Sequence, residues 1–130
     1  MINTYEENRI LSASPVELVR ILYAAAVRAV REAREHLETG DIAARSREIN
    51  KAQMILLELA VSIDRSKGKD IGDRLLALYD YMLGRLAEAN TLQQDAPLAE
   101  VSELLSTLHE GWSQCAAVTE AAVEPVMAGR

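Results

Sequence analysis

A chain of 130 residues suits one domain with a single buried core, and 49 % hydrophobic with 26 % charged residues is the balance of a globular protein rather than a disordered one. Three prolines, six glycines, no phenylalanine and abundant alanine favour helices over strands. The net charge of −6 is concentrated after Ala87, where Arg130 alone opposes Glu88, Asp95, Glu100, Glu103, Glu110, Glu120 and Glu124; a face of that sign repels phosphate and argues against nucleic acid as a partner.

Residues 1–13 carry Tyr5, Ile10 and Leu11 but no helical period, and are expected to form a short mobile N-terminal segment that either docks on the rest or is poorly ordered. Ser14-Pro15-Val16-Glu17 then opens a helix: Ser14 can cap free backbone N–H groups, Pro15 suits the first helical position, and Glu17 can complete a capping box. Val19, Leu22, Ala26, Val30, Ala33 and Leu37 form one apolar face, ended by Gly40. Asp41 can cap a second helix with the seam Ile42, Ile49, Ala52, Leu56, Leu59 and Ile63. Ser66-Lys67-Gly68-Lys69-Asp70 breaks the pattern before a third helix bearing Ile71, Leu75, Leu78, Met82 and Ala89. The polar stretch Gln93 to Pro97 precedes a fourth, with Leu98, Val101, Leu105, Leu108, Trp112 and Cys115. Short connections make successive helices antiparallel. The expected fold is therefore all-α: an antiparallel up-and-down four-helix bundle over residues 14–118, preceded by the N-terminal segment. Residues 119–130 are expected to be a helix extension or a frayed tail.

Most of the basic residues on the first two helices (Arg20, Arg28, Arg31, Arg34, Arg45, Arg47 and Lys51) alternate with glutamates at helical spacing and read as solvated faces. Cys115 has no partner for an internal disulfide, and the N-terminus lacks the basic and apolar regions of a signal peptide. The longest apolar run, Ile21 to Val27, is far short of the roughly 20 residues needed to cross a bilayer. These features lead to an expectation of a cytoplasmic protein without membrane insertion.

Catalysis finds no foothold. Glu32 and His36 stand one turn apart, but neither His36 nor His109 belongs to the Glu-x-x-His pair that a bundle metal site requires, so no metal and no cofactor are expected. Phosphotransfer through His109 is an alternative, weakened by Glu110 beside it, whose charge would repel phosphate. Cys115 falls on an apolar stripe without a cationic neighbour in sequence and reads as core rather than nucleophile. No Gly-rich phosphate loop, nucleophile elbow or Cys-x-x-Cys is present.

What stands out is surplus apolar surface. From Met54 to Ile63 only Glu58 and Ser62 are polar, and the first helix adds a second stripe of Leu18, Ile21, Ala25 and Ala29. Such helices lie at the centre of a fold or offer a groove to a partner. A structural bundle that self-associates through these faces is a further alternative.

Several segments in order resemble the flagellin export chaperone family, FliS: Tyr5 and Asn8, Ala13 to Leu18, Leu22-Tyr23, Lys51-Ala52-Gln53, Ile55, and Glu58-Leu59. Leu78 to Met82, Arg85-Leu86, Ala89-Asn90 and Trp112 extend the likeness over nearly the whole chain, the tail after Val118 falling outside it. The resemblance implies a cytosolic, non-enzymatic four-helix chaperone. Such a protein would bind the disordered C-terminal segment of flagellin, prevent premature polymerisation and present the subunit to the flagellar export gate when loaded. It also implies a groove lined by Leu18 and Tyr23 from the first helix and by Asn50, Gln53 and Ile55 from the second, with Tyr5, Ile10 and Leu11 covering it when empty. A core role for Leu18, Tyr23 and Ile55 stays open. Tyr79 and Tyr81 cannot share a helix face, so one is expected inside and the other outside.

Overall fold

A computed structural model describes residues 14–63, 66 and 68–128, with side chains through residue 114. Four helices follow in order: α1 (Pro15–Thr39), α2 (Ile42–Val61), α3 (Lys69–Leu92) and α4 (Asp95–Ala128). No strand occurs among the described residues. The first three helices are 25, 20 and 24 residues long.

The punctuation works as the residue types dictate. The Ser14 hydroxyl accepts from the Glu17 N–H at 3.2 Å, and Pro15 occupies the first turn. At the other end Gly40 takes a left-handed φ of 79°; its N–H donates to the Leu37 carbonyl, and Asp41 N–H donates back to the His36 carbonyl. This reversal leaves Asp41 free to cap α2, its carboxylate accepting from the Ala44 N–H at 3.1 Å. The connection between α3 and α4 is shorter than the polar stretch suggests. Gln93 turns the chain at a φ of 55°, and α4 begins at Asp95 with Pro97 buried in its first turn.

Each helix packs chiefly on two neighbours, α1 on α2 and α4, and α3 on the same pair. Arg34 on α1 reaches Asp95 at the start of α4 through two bonds of 2.8 and 3.0 Å. At the other end of α1, the Trp112 indole donates to the Val16 carbonyl at 3.3 Å. Those two ties fix α1 and α4 as antiparallel, completing the up-and-down bundle. The core contains Tyr23, Ala26, Val30 and Ala33 from α1, and Ile49, Ala52, Leu56 and Leu59 from α2. Tyr79, Met82, Leu86 and Ala89 of α3, with Leu98, Val101 and Leu105 of α4, complete it.

Across the middle, the Tyr23 and Tyr79 hydroxyls hydrogen-bond to each other between α1 and α3. Burial is the main cause that raises both phenols above the ordinary tyrosine pKa. Tyr81, two residues from Tyr79, is exposed, as alternation around a helix requires.

Three sequence expectations need correction. Ile42 and Ile71 are exposed rather than part of their seams, because each stands in the first turn of its helix, where the apolar face continues towards the end of the bundle. Arg45 is 4 % exposed, not part of a solvated face. Its guanidinium donates to the Asn90 side chain, the Asn90 carbonyl and the Gln93 side chain at 3.3–3.4 Å. A cation placed there meets the negative end of the α3 dipole and binds one of its last carbonyls.

Candidate functional site

The outward face of α2 is built from its sequence. At about 100° per residue, Asn50, Met54, Leu57 and Val61 fall on one stripe, opposite the buried Ile49, Ala52, Leu56 and Leu59. Leu56 and Leu57 are neighbours of the same type, one buried and one 50 % exposed. Met54 is 67 % exposed and Val61 82 %. Asn50 is exposed and supplies a polar group at the head of the stripe.

The two flanks of this stripe face different helices. The Ser46 hydroxyl donates to Asn90 of α3 at 3.0 Å, and Gln53, two turns further along on the same side, therefore borders α3. Ile55 lies on the opposite flank, towards α1, half-buried and packed on the core. On α1, Leu18 sits about 160° round the helix from Arg34, which reaches α4, so Leu18 borders α2. Leu18, Ile21 and Ala25 are each half-buried there. On α3, Leu76 shares the side of Asn90 and is also half-buried. The result is an apolar stripe on α2 with a seam on either side of it.

The residues named from sequence are thus not gathered into one pocket. Leu18 and Ile55 belong to the α1–α2 seam, Gln53 to the α2–α3 seam, and Asn50 to the crest between them. Tyr23 lies beneath, at 3 % exposure, with its hydroxyl committed to Tyr79. Tyr5, Ile10 and Leu11 fall outside the described residues. Met54, Leu57 and Val61 are the exposed members of the surplus apolar run, which flagged the segment without separating inner from outer positions.

Away from the stripe, the exposed large aliphatic side chains among the described residues, Ile42, Ile71 and Leu92, stand at helix ends. Glu100 of α4 accepts from the Tyr81 hydroxyl at 2.7 Å and from Arg85 Nε at 2.6 Å, and Arg85 also reaches Glu88 at 2.7 Å. Those donors, Tyr81 first and Arg85 second, hold Glu100 below the usual carboxylate pKa, while the same bond raises Tyr81 above its usual value. A recess where α1 ends and α4 starts is lined by Arg31, Arg34, Glu35, Leu37, Glu38 and Asp95, but Arg34 and Asp95 are already paired there. His36 and His109 are half-buried on separate helices. Among the described residues no three His, Cys, Asp or Glu side chains are grouped to hold a metal ion, and no helix is long and apolar enough to cross a membrane. The Cys115 side chain lies outside the described ones.

Comparison with known proteins places this architecture. The model of the flagellar protein FliS family matches residues 1–119. The flagellar secretion chaperone FliS of Salmonella typhimurium is 38 % identical over 109 residues, covering 83 % of this chain and 81 % of the relative. Its namesake in Bacillus subtilis is 31 % identical over 110 residues, covering 85 % and 81 %. The chaperone FliSB of Pseudomonas aeruginosa is 33 % identical over 106 residues, covering 82 % and 84 %. The chain belongs to the FliS family. Its relatives are named for a chaperone role, which is not an enzymatic one.

Proposed function

We propose that this FliS-family bundle is a cytosolic chaperone for flagellin, which binds the disordered C-terminal segment of that protein, prevents premature polymerisation and delivers it for secretion. The observation that carries the reading is the exposed stripe of Met54, Leu57 and Val61 on a helix whose other face is locked into the core. A stable bundle that leaves three large apolar side chains in line on one helix offers a template for an apolar segment that cannot fold alone. The client gains order only on contact, and that ordering cost keeps the complex reversible, as a secretion chaperone requires.

In this reading Leu18 and Ile55 line the α1–α2 side, and Gln53 and Asn50 offer hydrogen bonds to client backbone. Tyr23 supports the floor through its bond to Tyr79. Tyr5, Ile10 and Leu11 cover the apolar surface when it is empty. The client-loaded form is the one that engages the flagellar export gate.

Calorimetric titration with a peptide from the C-terminal segment of the source organism's flagellin tests this. One-to-one saturable binding is expected, weakened at least tenfold by Ile55→Glu or Leu57→Glu while helicity is retained. Failure of both the peptide and whole unfolded flagellin to bind would refute the proposal.

A further inference from the structure

The charges around the exposed stripe have an order along α2. Arg47 and Lys51 stand at its N-terminal end, and Glu58 stands among the apolar residues near its C-terminal end. Asp80 joins Glu58 from α3: it lies about 140° round that helix from Arg85, which faces α4, and so borders the α2 side. Arg47, Glu58 and Asp80 are exposed and Lys51 is half-buried. None of the four is ion-paired among the described residues; Arg20, Arg34 and Arg85 are, while Arg28, Arg31, Lys69 and Arg74 on other faces are not.

This order works against α2 itself. Beyond its Asp41 cap, α2 has no acidic residue in its first turn and no basic residue in its last. It instead carries Arg45 and Arg47 near the positive end of its dipole and Glu58 near the negative end. Arg47 and Lys51 also stand four residues apart, a spacing at which like charges repel, with the half-buried Glu48 one turn before Lys51 as the only acidic residue between them. Arg45 is explained by its bonds to the end of α3. Among the described residues no ion pair explains Arg47, Lys51 and Glu58.

A helix lying antiparallel on α2 does explain them. Its C-terminal end, where backbone carbonyls are unpaired, would rest by Arg47 and Lys51, and its N-terminal end by Glu58 and Asp80. We infer that the stripe receives an amphipathic client helix running antiparallel to α2, with acidic side chains towards its C-terminal end and basic ones towards its N-terminal end. The inference rests on the chaperone reading and adds the polarity of the bound segment. From Arg47 to Glu58 is eleven residues of rise, about 16 Å, so three helical turns suffice. Apolar client residues at i, i+3 or i+4, and i+7 meet Met54, Leu57 and Val61, and the ordered charges select one direction over the other.

The test uses the full chain, isotopically labelled, with the shortest flagellin C-terminal peptide that still binds it, carrying a nitroxide at one end or the other. The C-terminal label is expected to broaden amide resonances around Arg47 and Lys51, and the N-terminal label those around Val61 and Asp80. The reverse pattern would overturn the inferred direction, and broadening confined to other helices would overturn the surface. Absence of binding by any such peptide and by unfolded flagellin would overturn the chaperone reading itself, and the orientation with it. As a second arm, Arg47→Glu combined with Lys51→Glu is expected to weaken binding about fivefold at low salt, with the difference vanishing as salt rises. Unchanged affinity at low salt would also count against the inferred polarity.

Discussion

The paired phenols of Tyr23 and Tyr79 give the sharpest test of how the core is specified. Each ring is about 3 % exposed, and the two hydroxyls bond across the bundle between α1 and α3. Replacing Tyr79 by Phe keeps the ring but leaves the Tyr23 hydroxyl buried without its partner. A stranded buried donor costs about 1–3 kcal/mol, whereas an intact buried hydrogen bond contributes only about 1 kcal/mol net. Either single variant, Tyr79→Phe or Tyr23→Phe, is therefore expected to lose about 2 kcal/mol. The double variant strands nothing and should lie within about 1 kcal/mol of the parent. Urea unfolding followed by circular dichroism supplies the comparison, with an unchanged m value showing that compactness is preserved. The cycle should close with a coupling of about 3 kcal/mol. A double variant that loses the sum of the two singles would refute the reasoning, because it would show that the hydroxyls act independently.

The same pair sets an alkaline limit. Burial holds both phenols neutral to a higher pH in the folded chain, so above the ordinary tyrosine value of about 10 the unfolded state releases protons that the native state keeps. Stability is thus fully present below that pH and falls as pH rises beyond it; pH-dependent urea midpoints should show the decline, blunted in the Tyr23→Phe/Tyr79→Phe variant. Arg45→Ala should lower stability by roughly 2 kcal/mol by denaturant titration, through lost packing of its stem and lost donors at the end of α3. Leu57→Glu should leave thermal stability within about 0.5 kcal/mol of the parent, since the side chain is half in water, whereas Leu56→Ala should cost about 3 kcal/mol. A differential scan of the two variants separates the stripe from the core without any client present.

Helix starts and stops were legible because each rests on local chemistry. Ser14, Gly40 and Asp41 need only their immediate neighbours to act, and all three sit where their side chains or permitted backbone angles imply. Periodicity was a less complete guide, because it describes one helix at a time. Ile42 and Ile71 continue an apolar pattern whose neighbouring helices do not cover them. Arg45 reads as one more surface cation until α3 brings Asn90 and Gln93 to it, from 45 and 48 residues away. The surplus apolar run on α2 was visible from composition, yet Leu56 and Leu57 could be told apart only once the bundle had chosen which face to bury.

That choice separates stability from recognition on one helix. The inner side of α2 is filled by Ile49, Ala52, Leu56 and Leu59, and small residues at Ala26, Ala29 and Ala33 of α1 permit close approach of the two helices. With α2 fixed in this way, its outer side is free to break the rules that would otherwise govern a surface helix. It exposes Met54, Leu57 and Val61, and it carries charges opposed to its own dipole. Each departure weakens the isolated bundle slightly, and none is compensated by a contact among the described residues. Departures from local preference that gather in line on one face of one helix are expected where selection acts on a partner rather than on the fold. The outer side of α2 is therefore where changes in client affinity should be found at little cost to folding, and its inner side is where the two effects should be inseparable.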